Sequence, residues 1–193
     1  VSYTVGGVHY ERETIAPLGS KVVAVRLTAS QSASLTFTAS MTTPHETPLV
    51  GSDGQVATLT GVSAKHEGLK GKVRFQGRLA VQTQGGTVSQ ADGQLSVVGA
   101  DEATLYITVG TNVVSYKDIT GDEVEQSRER LSQAMTLGYS RLKEKHEQLF
   151  HKYYDRVSLD LGPDRFARVP TSERVDRFSH YAEHGEQPDN CLV

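Results

Sequence analysis

In two stretches, Lys21–Ala29 and Ser34–Met41, apolar side chains recur at alternate positions. Val23, Val25 and Leu27 alternate with Ala24, Arg26 and Thr28, and Leu35, Phe37 and Ala39 alternate with Thr36, Thr38 and Ser40. A period of two puts one set of side chains on a dry face and the other on a wet face, which only a β-strand does. The pattern recurs along the first 120 residues. Strands are expected at Ser2–Val5, Val8–Ile15, Lys21–Ala29, Ser34–Met41, Val56–Ala64, Val73–Gln84, Gly86–Gln90, Gln94–Gly99 and Glu102–Val109. Gly6-Gly7, Gly85-Gly86 and Asp92-Gly93 supply the positive φ that tight hairpins require. Turns spaced about 8–12 residues apart predict an antiparallel sandwich.

The character of the chain changes near Thr120-Gly121-Asp122. Residues 1–120 hold 18 charged side chains and 14 glycines, whereas residues 121–193 hold 25 charged side chains and 4 glycines. The first composition suits strands and turns, the second helices. Asp122 is placed to cap a helix from Glu123 to Leu137, which Gly138 stops. Ser140 is placed to cap a second helix, Arg141 to about Asp155. Val157–Leu161 alternates as a short return strand ended by Gly162-Pro163, and Thr171 opens a third helix, Ser172 to about His184. The expected organisation is a β-sandwich part at residues 1–120 and a helical connector at 121–193. Val1 opens inside a strand-like pattern and Cys191-Leu192-Val193 is an apolar triplet, so both ends are expected to be cuts in a longer polypeptide.

Several function classes are disfavoured by these residues. A net charge of -3 argues against nucleic acid or an anionic membrane as the main partner. No apolar run approaches the roughly 20 residues of a spanning helix. The single cysteine, Cys191, allows no intrachain disulfide and no multi-cysteine zinc site. His180 and His184 stand four apart but lack a local third ligand, so no metal and no cofactor is expected. Glycoside chemistry needs two carboxyl groups flanking one bond. The acids Glu11, Glu13, Glu46, Glu67, Asp101 and Glu102 all sit in polar surroundings, and none is in an apolar stretch that would raise its pKa for acid catalysis.

Two loops remain as candidates. Pro44 ends a strand and puts His45 on a loop at a sheet edge, where a cleft is one possible neighbour and plain surface the other. Thr111 to Asp118 gathers the amide of Asn112, the phenol of Tyr116, the amine of Lys117 and the carboxylate of Asp118 on one loop. Such a set can bind sugar hydroxyls, or form a hydrogen-bonded corner between sandwich and connector. His146 is expected to be a packed or interfacial histidine. Tyr3 and Tyr10 on the first hairpin are expected to be cross-strand partners rather than a sugar platform, and there is no Trp to supply one.

Four ordered blocks carry a resemblance over essentially the whole chain. Val22–Ala29 with Leu35–Ala39 and Pro44-His45 resembles the N-terminal β-domain of glycoside hydrolase family 95, the bacterial and plant α-L-fucosidases and their relatives. Asn112–Asp118 followed by Gly121-Asp122 resembles that domain's exit. His146–Gly162, with Arg156-Val157-Ser158-Leu159-Asp160-Leu161-Gly162, resembles its linker, and Pro170-Thr171 with Glu173, Arg174 and Phe178 the next helix. The resemblance implies a β-supersandwich and a helical linker leading to an (α/α)6 barrel that lies outside this sequence and carries the catalytic residues of an inverting hydrolase. It implies that the sandwich lacks its own first strands, and that no catalytic residue lies in residues 1–193. It implies fucosylated oligosaccharides or polysaccharides as substrate, the barrel as partner, and a periplasmic or secreted location. His45, Asn112, Tyr116 and Lys117 are then the candidate rim of the substrate cleft. The alternatives are a carbohydrate-binding or adhesion module and the N-terminal domain of a glycoside phosphorylase.

Overall fold

The computed structural model describes residues 1–45, 48–159, 166 and 168–180. Among the described residues are ten strands and two helices: β1 (Ser2–Val5), β2 (Val8–Ile15), β3 (Val23–Ala29), β4 (Leu35–Ala39), β5 (Leu49–Asp53), β6 (Val56–Val62), β7 (Arg74–Gln84), β8 (Thr87–Ala91), β9 (Gln94–Ala100), β10 (Glu102–Thr111), α1 (Glu123–Tyr154) and α2 (Thr171–Ser179). The architecture is an antiparallel β-sandwich followed by a helical segment. Seven strands form one sheet in the order β1-β2-β3-β10-β7-β6-β5, and three form the other in the order β4-β9-β8. Compact packing divides the chain into two units, Val1–His151 and Lys152–Val193. The change in composition near residue 120 coincides with the passage from strands to helix.

In the first unit, strand alternation builds three layers. Leu105 and Ile107 of β10 face the small sheet, and Tyr106 between them faces α1. The small sheet packs Leu35, Val97 and Ala100 against Ala103, with Leu27 and Val81 beside them. On the opposite face Val22, Ala24, Ala80 and Tyr106 receive Leu131, Ala134, Tyr139 and Leu142 of α1. Alanines at the sheet side of that contact let the helix approach closely. Gly138 breaks the helix as the sequence predicts: its φ of 73° and ψ of 165° are open only to glycine, and two helical stretches meet there. Beyond the break, Lys143 pairs with Glu13 of β2. The Leu18 N–H donates to His146 Nδ1 at 3.3 Å, which ties the half-buried His146 to the segment before β3.

The small sheet does not cover all of the large one. A cleft of about 660 Å³ opens beside β4, lined by Tyr3, Tyr10, Leu27, Leu35 and Phe37 among others. Tyr3 and Tyr10 are register partners whose rings stack on each other with centroids 5.4 Å apart, the cross-strand pair expected.

Two expectations fail. β5 was not foreseen. It is an edge strand whose residues are mostly exposed, so no buried face imposes an alternation on Leu49–Asp53. The return strand at Val157–Leu161 is absent over its described part: Val157, Ser158 and Leu159 have no ladder partner, and Val157 and Leu159 are exposed. Asp160 and Leu161 lie outside the described residues. In the second unit α2 runs Thr171–Ser179, with the Arg177 guanidinium 5.3 Å from the Phe166 ring centre. His184 lies outside the described residues. Among those described, no helix is long and apolar enough to cross a membrane.

Candidate functional site at the loop end of the large sheet

Three strand ends meet at one end of the seven-stranded sheet. Val62 of β6 pairs with Arg74 of β7, and Thr111 of β10 pairs with Phe75. The loops that leave these ends, 63–73 and 112–122, therefore lie side by side. His45 reaches the same end from the connection after β4. Its Nδ1 accepts the Ala64 N–H at 3.2 Å, and its ring centre lies 5.3 Å from that of Phe75. Accepting a backbone N–H at Nδ1 puts the neutral ring's proton on Nε2. Glu46 and Thr47, which follow it, lie outside the described residues.

Asn112 laces the two loops together. It is fully buried. Its Oδ1 accepts the Arg74 N–H at 2.8 Å, and its Nδ2 donates to Lys72 O at 3.2 Å and Ile119 O at 3.0 Å. Its own N–H donates to Arg74 O at 3.1 Å, and its carbonyl accepts the Gly121 N–H at 2.9 Å. Of the two expectations for this loop, Asn112 meets the hydrogen-bonded corner, and its place on a cleft rim is corrected. A side-chain amide spent on three internal bonds and closed to solvent has nothing left for a sugar.

Tyr116 and Lys117 lie at the tip of the second loop. The turn beneath them is closed by reciprocal bonds, Ser115 N–H to Asp118 O at 3.0 Å and Asp118 N–H to Ser115 O at 3.1 Å. The Lys117 N–H donates to Ser115 Oγ at 3.2 Å. Asp118 Oδ1 accepts from both the Thr120 hydroxyl, at 2.7 Å, and the Thr120 N–H, at 2.9 Å, which holds its carboxyl below the usual range. Tyr116 is almost wholly exposed, with Lys117 Nζ 5.1 Å from its ring centre. The structure thus brings His45, Asn112, Tyr116 and Lys117 to one end of one sheet, with Asn112 beneath and Tyr116 and Lys117 at the tip.

The start of α1 is clamped to the same strands. Asp122 caps it, accepting the Val124 and Glu125 N–H groups at 2.9 Å each. Glu123 takes Arg74 in a two-point pair, Nε to Oε1 at 2.7 Å and the second nitrogen to Oε2 at 3.1 Å. Arg74 pulls the Glu123 carboxyl down, and Glu123 pushes the Arg74 guanidinium up. Deeper in, buried Arg78 donates through Nε to Gln76 Oε1 and Ser127 Oγ, and through its Nη1 to Asp53 Oδ2 at 2.8 Å. Reading the sequence missed this network. Its trace there is the polar stripe Arg74, Gln76 and Arg78 at alternate positions of β7.

Three of the acids weighed for glycoside cleavage, Glu13, Asp101 and Glu102, are engaged elsewhere, and Glu46 lies outside the described residues. Glu13 is drawn down by Lys143, Glu102 is held by Arg26 at 2.7 and 2.8 Å, and Asp101 accepts the Ala33 N–H at 2.6 Å. A general acid needs a raised pKa, and Glu13, Asp53, Asp118 and Glu123 all move the other way.

The sequence profile for the N-terminal domain of glycosyl hydrolase family 65 matches residues 1–116. Alpha-L-fucosidase 2 of Arabidopsis thaliana is 27% identical over 207 aligned positions, which cover 95% of this chain and 24% of that protein. A putative kojibiose phosphorylase from the human microbiome shares the fold, with a TM-score of 0.50 at 10% identity over 76% of this chain and 21% of that one. The chain therefore spans about a quarter of the length of these relatives. Matched over more than half its length by that profile, this β-sandwich chain belongs to the N-terminal domain family of glycosyl hydrolase family 65.

Proposed function

We propose that the chain is the non-catalytic N-terminal β-domain and connector of a larger glycoside-cleaving enzyme, an inverting exo-α-L-fucosidase or α-L-galactosidase acting on fucosylated glycans. The observation that carries this reading is the similarity to Alpha-L-fucosidase 2, which runs through 95% of the chain and so includes both sandwich and connector. The state of several acids supports a supporting role: Glu13, Asp53, Asp118 and Glu123 are held by Lys143, Arg78, Thr120 and Arg74, and each is drawn below its usual range. In this reading the loop end borders the substrate cleft of a separate (α/α)6 catalytic domain. His45, Tyr116 and Lys117 form the rim, and Asn112 holds the rim in place. Its substrates place the enzyme in the periplasm or outside the cell.

A second reading, the N-terminal domain of a glycoside phosphorylase, draws equal support from the family match, since the fold recurs in the putative kojibiose phosphorylase. The two differ in the nucleophile. A hydrolase transfers the sugar to water, and a phosphorylase transfers it to phosphate as a sugar 1-phosphate. The complete gene product, incubated with an aryl α-L-fucoside, is expected to release free fucose at the same rate with and without inorganic phosphate. Fucose 1-phosphate formed only with phosphate would establish the phosphorylase reading. No release from aryl α-L-fucosides or α-L-galactosides under either condition would remove the fucosidase reading.

A further inference from the structure

The small sheet is nearly free of charge. Residues 30–43 and 85–100, which hold β4, β8, β9 and the turns beside them, contain one charged side chain, Asp92, although 22% of the whole chain is charged. Leu35, Phe37 and Ala39 of β4, Leu95 and Val97 of β9, and Val88 of β8 pack into the sandwich. Alternation therefore turns Thr36 and Thr38, Ser96 and Val98, and Thr87 and Ser89 outwards. Thr38 and Ser89 are exposed, and Ser96 between them is half-buried. The register aligns these residues in rows. Thr38 pairs with Ser96, and Ser96 pairs with Ser89, so three hydroxyls run straight across the three strands. Thr87 pairs with Val98, and Thr36 Oγ1 accepts the Gly99 N–H at 3.1 Å, which sets a second row beside the first. Neighbours in a row stand about 4.8 Å apart, and the rows about 7 Å apart.

A solvated sheet surface ordinarily carries charge, which keeps it from associating. This one offers hydroxyls, each both donor and acceptor, with threonine methyls and the exposed Val98 between them. That mixture matches a neutral saccharide, which presents hydroxyls and C–H groups side by side and has no charge to be paired. A second copy fits less well. Sheets that pack face to face interdigitate apolar side chains, and Val98 is the one large apolar residue in these rows. We propose that the outward face of the small sheet is a non-catalytic binding surface for a neutral saccharide chain, which lies across Thr38, Ser96 and Ser89. This inference rests on the reading that the chain serves a glycan-cleaving enzyme. It adds a surface that retains polymeric substrate without using His45, Tyr116 or Lys117.

The test is electrophoresis of the native complete gene product through gels cast with and without xyloglucan, a neutral polysaccharide with fucosyl side chains. The polymer is expected to retard the wild-type protein. Thr38→Glu and Ser89→Glu should each weaken the apparent affinity about tenfold, because a charge set against a neutral ligand is desolvated without a partner. Ser89→Lys should weaken it equally, and Ser89→Thr, which keeps the hydroxyl, should bind as wild type does. Equal wild-type migration with and without polymer would overturn the proposal. So would retardation that survives both Glu variants. Tighter binding by Ser89→Lys than by wild type would overturn it in favour of an anionic partner. Turnover of an aryl α-L-fucoside reports separately on the fucosidase reading, and these variants should leave it unchanged. Turnover without retardation would sink this surface alone, and retardation without turnover would sink the fucosidase reading alone.

Discussion

Gly110→Ala is expected to lift the start of α1 off the sheet. A Cβ at this position would lie 2.2 Å from the Glu123 carbonyl oxygen, 2.9 Å from the Ser127 nitrogen and 3.0 Å from the Glu123 carbonyl carbon. All three are backbone atoms of the helix, so no side chain can swing away. Either β10 bends or the first turns of α1 move outward. Moving the helix lengthens the Thr108 hydroxyl bond to Ser127 O, now 2.9 Å, and strains the Arg74–Glu123 and Arg78–Ser127 contacts. The expected cost is about 3 kcal/mol, the upper part of the usual range for overpacking. Gly77→Ala is the control. Its Cβ would meet the Met41 sulfur at 3.3 Å, and an unbranched thioether can shift. Denaturant unfolding of the two variants should show a much larger loss for Gly110→Ala. Equal midpoints would mean that α1 does not rest on β10.

Asn112→Ala is expected to cost a similar amount by another route. It leaves the Arg74 N–H without its Oδ1 acceptor and the Lys72 and Ile119 carbonyls without their donor. Unpaired groups at a buried site cost roughly 1 kcal/mol or more each, so a loss of about 3 kcal/mol is expected. Asn112→Asp should do no better. It keeps an acceptor for Arg74, but turns a carboxylate towards two carbonyl oxygens. Thermal unfolding measures the global loss. Hydrogen exchange over 113–121 should quicken in both variants, because both lose the side-chain bonds to Ile119 O and Lys72 O that join this loop to its neighbour. Wild-type stability with Asn112→Ala would show that the amide holds nothing.

These two positions show where a linear reading of the chain stops. The strands of residues 2–111 were legible because alternation is a local property, set by which face each successive side chain meets. The helix break at Gly138 was legible for the same reason, since a glycine between two amphipathic runs is a local stop signal. β5 was not, because an exposed edge strand carries no buried face to betray it. Val157–Leu159 shows the converse: alternation is a capacity to pair, and it yields a strand only where a partner is present.

Asn112 was picked out with two roles open, a sugar contact or a hydrogen-bonded corner, and the corner is what it makes. Its amide can serve a sugar or the backbone with equal chemistry. The choice is made by the β10–β7 register, which brings Arg74, 38 residues earlier in the chain, against it. The stripe of Arg74, Gln76 and Arg78 hid a buried network in a similar way. A polar strand face ordinarily meets water, and only the docking of α1 turns this one into an interior held by Ser127 and Glu123. Tyr116 and Lys117 were legible as exposed loop residues. Their setting on a closed turn, beside a second loop fixed by the same amide, depends on contacts that no spacing in the sequence encodes.

The role proposed for this chain is to support glycoside chemistry without performing it. Its most direct test is to assay the isolated 193-residue chain beside the complete gene product, on the same aryl α-L-fucoside and with phosphate supplied. The account predicts sugar release by the complete protein and none by the isolated chain. Turnover by the isolated chain would contradict it, and would mean that an acid pair capable of catalysis lies within these residues.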